Sequence, residues 1–345
     1  VNEFLEAMIR LGAGAFVMVA VLIVSLVLKG FDRRFAAWLQ ARVGPPLMQP
    51  FYDIAKLWQK ENILPERAVS WSFMGAPFLA LVGSLVLLLF VPLGPVTGKV
   101  EGWMPLLEGY GDLILVVYLL AVPSLMMAIG GFSSGSPLAT VGAQRELVMM
   151  MSYELPLSVV VLSLGWRLSK LDLGLDALSI ADITSKPLWG EVGLLGVIGL
   201  LMLAVVFFLI IPSELSKIPF DAPEAETEIG GGILAEYSGN NLAMFYLSDA
   251  VKTVAFTSLA VALFFPYGIS GNIGELIGTP LSGWAAFGVD LVFWFIKIEL
   301  VYFFAVTVIR VGAARLRIDR LSWLYLVPLS VLSVVGAVML YLDTL

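Results

Sequence analysis

The chain has 345 residues, of which 59% are hydrophobic and 14% charged, with a net charge of −7. Its mean hydropathy of +0.95 excludes an ordinary soluble globule and identifies a polytopic membrane protein. Cysteine and histidine are both absent, which excludes haem ligation by His, Cys-held iron–sulfur clusters and Ser-His or Cys-His nucleophile pairs within this chain. Asn and Gln number nine together, a scarcity found in heat-adapted proteins. Nothing resembles a nucleic-acid footprint.

The first apolar run, residues 11–28, is preceded by a single base, Arg10, and lacks a small-residue cleavage site before Lys29. It reads as a retained helix rather than a signal peptide. Further runs lie at 71–91, 113–129, 147–164, 192–211, 242–265, 284–309 and 323–342. Each is long enough to cross a hydrocarbon core of roughly 30 Å. The expected fold is therefore all-α, a single transmembrane domain of eight spanning helices with loops at about 30–70, 130–145, 212–241 and 310–322. Between the first two spans, Phe51, Ile54, Ala55, Leu57 and Trp58 form an apolar stripe opposite Asp53, Lys56, Gln59 and Lys60. This predicts an amphipathic helix lying at the interface or packed on the protein itself. Loop charge orients the spans. Thirteen bases, including Lys29, Arg42, Arg145, Lys217 and Arg310, lie on one side, and Arg10, Lys99, Arg167, Lys170 and Lys186 on the other. That bias puts the four long loops in the cytoplasm and both termini outside.

Ionisable residues inside spans are costly and usually functional. The fourth span carries Glu154, with Arg145 and Glu146 at its start. The sixth carries Asp249 and Lys252 at a spacing that lets them pair, and the seventh carries Asp290, Lys297 and Glu299. Six such groups facing lipid would cost on the order of 15–20 kcal/mol. They are expected to face one another or a wet interior, as a charged track. The structural alternative is a closed Asp249–Lys252 pair and an Asp290 that sits near the outer surface. The glycine-rich stretch 130–142 reads as a tight connection between helices.

The segment from Glu214 to Gly239, ELSKIPFDAPEAETEIGGGILAEYSG, sets six acids (Glu214, Asp221, Glu224, Glu226, Glu228, Glu236) against the single base Lys217. Asp221 and Glu224 fit an N-cap with a capping-box acid. Gly230–Gly232 should end that short helix, and Glu224 and Glu228 fall on one face at i, i+4. The bland reading is a solvated loop whose acids complement a helix dipole.

PFDAPEAETE followed by EYSG resembles the acidic-loop signature of the membrane "heel" subunit of respiratory complex I and of energy-converting membrane hydrogenases. QARVGPPLMQPFYDIAKLWQKE resembles that family's first cytoplasmic loop, GAQRELVMMMSYELPL its fourth-helix start, and ARLRIDRL its arginine-rich segment. The resemblance implies a subunit without catalytic residues, cofactor or metal of its own. It implies partner subunits that hold iron–sulfur clusters and, in the hydrogenase branch, a NiFe centre. Antiporter-like membrane subunits and the lipid bilayer of a prokaryotic cell membrane are the other implied partners. By motif position Glu224, Glu226 and Glu228 take the acidic-loop roles, Glu236 precedes Tyr-Ser-Gly, and Glu154 is the fourth-helix acid. With Glu146, Glu214, Asp249, Lys252, Asp290, Lys297 and Glu299 they form the expected ion-coupling path. Arg42, Arg315, Arg317 and Arg320 are expected to dock the hydrophilic arm or the chain's own acidic loop.

Quinone-reducing members usually carry Gly-Pro-Asn where this chain has Gly44-Pro45-Pro46. That departure resembles the ferredoxin-linked hydrogenases and sulfane-sulfur reductases, with a quinone-chamber subunit as the alternative. A stand-alone secondary transporter is the alternative of another class, although no matched pair of Gly/Pro-broken helices is evident.

Overall fold

The computed structural model describes residues 2–93, 113–170, 178–185, 187–277 and 283–344. Lys99 and Lys186, which entered the charge bias, lie outside them. Among the described residues, eight helices are long and apolar enough to span a membrane, as the hydropathy pattern requires. In chain order the elements are α1 (Asn2–Leu39), α2 (Gln49–Trp58), α3 (Ser70–Leu87), α4 (Leu113–Ser133), α5 (Pro137–Ser169) and α6 (Ile180–Ser185). They continue with α7 (Leu194–Glu214), α8 (Glu226–Ile229), α9 (Gly239–Phe264) and α10 (Ser270–Ile277). The last two are α11 (Trp284–Gly312) and α12 (Ile318–Leu342).

Three boundaries depart from the apolar runs. α1 continues as helix to Leu39 rather than stopping near Leu28, because backbone hydrogen bonding propagates past the point where hydropathy falls. Lys29, Asp32 and Arg33 are thus helical residues and not loop anchors. α5 spans 33 residues instead of the 18 of its apolar run, beginning at Pro137, where proline at the first turn costs no hydrogen bond. α4 runs on to Ser133, so the connection expected over 130–145 shrinks to a turn at Gly135, whose φ is +73°.

α9 is the axis of the bundle. Every residue from Ala250 to Phe264 is buried, and α3, α1, α11, α2 and α4 all pack on it. Small and hydroxylic residues make this possible. Thr253 and Thr257 return their hydroxyls to the carbonyls one turn back, at 2.7 Å each, so they can be buried without an unsatisfied donor. Ser248 donates to the Ala80 carbonyl on α3 at 2.9 Å.

α2 settles the choice left open for the amphipathic segment. Ile54, flanked by Phe51 and Leu57, packs with Leu26 of α1 and Ala243, Leu247 and Ala250 of α9. Trp58 and Tyr52 point outward. The stripe is therefore split: its centre joins the protein core and its edge is left to the surroundings. Asp53, opposite the stripe, accepts from Arg33 at 2.6 Å and from Gln49 at 2.9 Å.

The glycine-rich stretch does more than connect helices. A Cβ on Gly142 would lie 2.9 Å from the Pro223 carbonyl, and one on Gly131 would lie 2.9 Å from Ile233. The glycines of α4 and α5 thus let the 214–239 loop sink between the two helices.

Candidate functional site

The 214–239 loop is pinned by contacts from three sides. Tyr237 stacks on Phe73 with ring centroids 4.1 Å apart and donates to the Phe73 carbonyl at 3.1 Å. Arg145 reaches from α5 to Glu228 at 2.5 Å. Arg315 binds both oxygens of Asp221 and reaches Thr227 at 2.9 Å. That contact places the arginine-rich segment and the acidic loop on one side of the bundle, as the charge pattern predicts. It also corrects the capping-box reading: Asp221 is engaged by Arg315, and the turn it precedes, Ala222–Glu224, is 3-10 without a side-chain cap. α8 then starts at Glu226 and ends at Gly230, Gly231 and Gly232, all with positive φ. Glu224 and Glu228 therefore do not share a helical face. Glu224 points inward and Glu228 outward to Arg145.

Inward of the loop is a cavity of about 70 Å³ lined by Ser124, Glu146, Glu214, Ser216, Lys217, Glu224, Asp249 and Lys252, with Tyr246 at its edge. That volume suits several waters, each needing about 10–15 Å³, and is roughly half the ~150 Å³ that admits a benzene ring. Four elements converge here. α7 ends at Glu214 just after Pro212, α4 contributes Ser124 beside Pro123, α5 contributes Glu146, and α9 contributes Asp249 and Lys252.

Asp249 and Lys252 do not pair with each other, contrary to what their spacing suggests. Lys252 forms an ion pair with Glu214 at 2.6 Å and donates to Ser124 Oγ at 2.6 Å and the Glu214 carbonyl at 2.8 Å. Asp249 instead takes two ammonium groups, Lys29 at 2.7 Å and Lys217 at 2.9 Å. Glu146, only 3% exposed, accepts from Ser216 at 3.3 Å. Lys29 and Lys217 were legible only as loop bases. The signal that singles them out is the distance to Asp249, which no local spacing encodes.

With Glu146, Glu214, Glu224 and Asp249 against Lys29, Lys217 and Lys252, the cluster has one acid more than it has bases. The surplus falls on Glu224. Burial pushes its carboxyl up to about 7; Lys217 opposes the shift, and Asp249, Glu146 and Asp221 add to it. Lys217 behaves oppositely. Burial disfavours its charge, but Asp249 and Glu224 more than offset that and raise the ammonium above its ordinary value. A carboxyl that titrates near neutrality beside a permanent cation, at the edge of a wet cavity, is suited to taking and releasing a proton.

The remaining expected site residues lie elsewhere. Glu226 is exposed, and Glu236 and Glu154 are half-buried outside the cavity lining. Asp290 and Lys297 hold helix ends at the far end of α9. Asp290 accepts from the Ile269 and Ser270 amides at 2.7 and 2.8 Å and from the Ser270 hydroxyl at 2.6 Å. Lys297 donates to the Phe265 and Tyr267 carbonyls at 2.7 and 2.8 Å. Glu299 lies apart from both groups, against α1. Arg317 pairs with Asp319 at 3.1 Å on the surface, Arg42 bonds Gln40, and Arg320 is exposed.

The fold and the loop have counterparts among known proteins. The H subunit of NADH-quinone oxidoreductase from Anaplasma marginale (strain St. Maries) is 31% identical over 368 residues, covering 100% of this chain and 98% of that protein. Its counterpart from Anaplasma phagocytophilum (strain HZ) is 30% identical over 99% of this chain and 98% of that protein. A chain in the structure of the membrane-bound sulfane sulfur reductase, an archaeal respiratory membrane complex, superposes with a TM-score of 0.79 at 25% identity, covering 96% of this chain and 99% of that one. The family profile described as NADH dehydrogenase matches residues 13–339, nearly the whole of the bundle described above, and the chain belongs to that family.

Proposed function

We propose that this chain is the heel subunit of a complex I-like respiratory complex in a prokaryotic cell membrane. It docks a hydrophilic redox arm on its cytoplasmic loops and couples electron transfer there to proton or sodium movement. The observation that carries this reading is the cavity in which Glu224, titrating near pH 7, faces Lys217 and the Asp249, Glu146 and Glu214–Lys252 groups. A change of charge in the arm above the loop would shift the Glu224 proton, and the shift would pass through Lys217 to Asp249 and onward. The chain's part is electrostatic. The electrons belong to iron–sulfur subunits and, in a hydrogenase, a NiFe centre, while antiporter-like subunits continue the path in the membrane.

The Gly44-Pro45-Pro46 turn favours a ferredoxin-dependent hydrogenase or sulfane-sulfur reductase. The likeness to the sulfane sulfur reductase chain agrees with it. The relatives named as NADH-quinone oxidoreductase subunits support the second reading, a wall of a quinone chamber.

The test is Glu224→Gln in the whole complex reconstituted into vesicles. Assembly and electron transfer should persist while ions moved per electron fall at least severalfold. Unchanged stoichiometry would sink the coupling role. Iron and nickel analysis of the complex co-purified on this chain separates the branches. Arg317 and Arg320, free of the acidic loop, are the docking residues. Neutralising both should release the arm at lower salt than wild type, whereas an unchanged salt profile would make them topological anchors only.

A further inference from the structure

A second group of ionisable side chains lies on the seam between α1 and α11, away from the cavity. Asp32 of α1 is 4% exposed at its side chain and accepts from Thr307 at 2.7 Å and Arg310 at 3.0 Å, both on α11. About two turns before Thr307 on α11, Glu299 buries both carboxyl oxygens, and neither has a hydrogen-bond donor among the described residues. Tyr302, at i+3 from Glu299 and 2% exposed, has a hydroxyl that is likewise buried and unpartnered. The helix turns to π geometry immediately afterwards, over Phe303–Val308, and such turns are frequent at functional sites. Phe303 closes the seam edge-on to Phe35 of α1 at 5.6 Å. The flank of α11 beside Glu299, with Ile296, Leu300 and Phe304, is exposed and suits lipid or a neighbouring subunit.

An ionised carboxylate without a donor is among the most unfavourable groups to bury. Charge near Glu299 does not relieve it. The Asp32 carboxylate acts on both Glu299 and Tyr302 and repels a second anion. Arg310 is engaged by Asp32, and Lys29, one turn before Asp32, is engaged by Asp249. Among the described residues no set of three acidic ligands gathers here to hold a metal ion. The counter-ion that fits the space is a proton.

We propose that Glu299 is a proton-holding station on the α1–α11 seam, separate from the central cavity, with Tyr302 as the switchable donor to its ionised form. In the resting state Glu299 is a neutral acid. When the site ionises, the Glu299 O–H bond breaks, the proton passes to solvent water, and the Tyr302 hydroxyl, at i+3 on α11, turns to donate to the new Glu299 carboxylate. Lys29 and Asp32 sit one turn apart on α1, so the Lys29–Asp249 pair of the cavity and the Asp32–Arg310 pair of the seam feel each other's charge. The station deepens the ion-coupling role and rests on that reading for its purpose, but not for its chemistry.

Infrared spectra of the intact complex test the chemistry directly. At pH 7 the wild type should show the carbonyl band of a neutral carboxylic acid that E299Q lacks, a loss of one group's intensity. In Y302F the band should persist to higher pH, because the carboxylate form has lost its donor. Finding Glu299 as a carboxylate at pH 7, with no band lost in E299Q, would overturn the station. So would a band that ignores Y302F. Ions moved per electron then distinguish the two ideas. A neutral-acid band with full pumping in E224Q would leave the station standing and remove the coupling role of the cavity. A missing band with reduced pumping in E224Q would do the reverse.

Discussion

Two sets of buried charges occupy the two ends of α9, and they are satisfied in different ways. At the far end, Asp290 and Lys297 bind backbone: the first holds amides at the start of α10, the second carbonyls just past the end of α9. Such partners cannot titrate, so they hold each side chain in place and pass on no charge change of their own. At the cavity end, Glu214, Lys252, Asp249, Lys217 and Lys29 bind one another, and Glu224 stands by with a proton near its balance point. Groups whose partners are themselves ionisable have several arrangements close in energy. Burial alone therefore does not mark a coupling site. What marks it is burial among partners that can change charge.

Lys252 is where breaking that network should cost most. Lys252→Met strands Glu214, 3% exposed, without its cation, and removing one member of a buried pair costs about 3–5 kcal/mol. The complex should melt at a clearly lower temperature in detergent or fail to assemble. Lys252→Met with Glu214→Gln removes both charges and should recover most of the loss. A double variant as unstable as the single would show that packing, rather than the ion pair, holds this place.

Much of the fold was legible because it is local. Eight apolar runs gave eight spans, and the acidic motif announced itself as an unbroken string. The misreadings came where tertiary partners displaced local ones. Asp249 has Lys252 three residues away, yet it takes Lys29, 220 positions distant, and Lys217. Asp221 has an ordinary capping position, yet it takes Arg315. Which acids of the motif point inward was equally hidden, since Glu224 and Glu226 differ by two residues and only the 3-10 turn before α8 sends one into the cavity. Glu299 was picked out by its position within a span, while Asp32, which binds Thr307 and Arg310 further along α11, was hidden by ending the first helix too early.

The Glu224 carboxyl makes the next largest difference, and it depends on pH. Its ordinary value is 4.5 and its value in the fold about 7. Between those pH values the folded chain holds a proton that the unfolded chain has released. Stability therefore falls as pH rises through that window and is level on either side of it. The full effect should be about 3 kcal/mol. Melting temperatures across pH 4.5–7 should slope downward in wild type and flatten in Glu224→Gln, which gains most above pH 7. Parallel curves for the two proteins would mean that Glu224 is not the group held back by its surroundings.

The far end should give the smallest effects, and of one kind only. Lys297→Met removes the donor to the Phe265 and Tyr267 carbonyls at the C-terminal end of α9. A cation so placed at a helix terminus contributes up to about 2 kcal/mol. Asp290→Ala frees two amides and the Ser270 hydroxyl at the start of α10, a loss of about 1–2 kcal/mol by comparison with capping residues. Both variants should lower the melting temperature of the complex modestly. Neither should change ions moved per electron in the molecules that assemble, because backbone partners offer no second protonation state to pass on. Asp290→Asn keeps an acceptor for the amides and should lie between wild type and Asp290→Ala. If Lys297→Met or Asp290→Asn instead lowers pumping per electron while stability holds, the far end belongs to the ion path, and the contrast between backbone-bound and charge-bound groups fails as a guide to this protein.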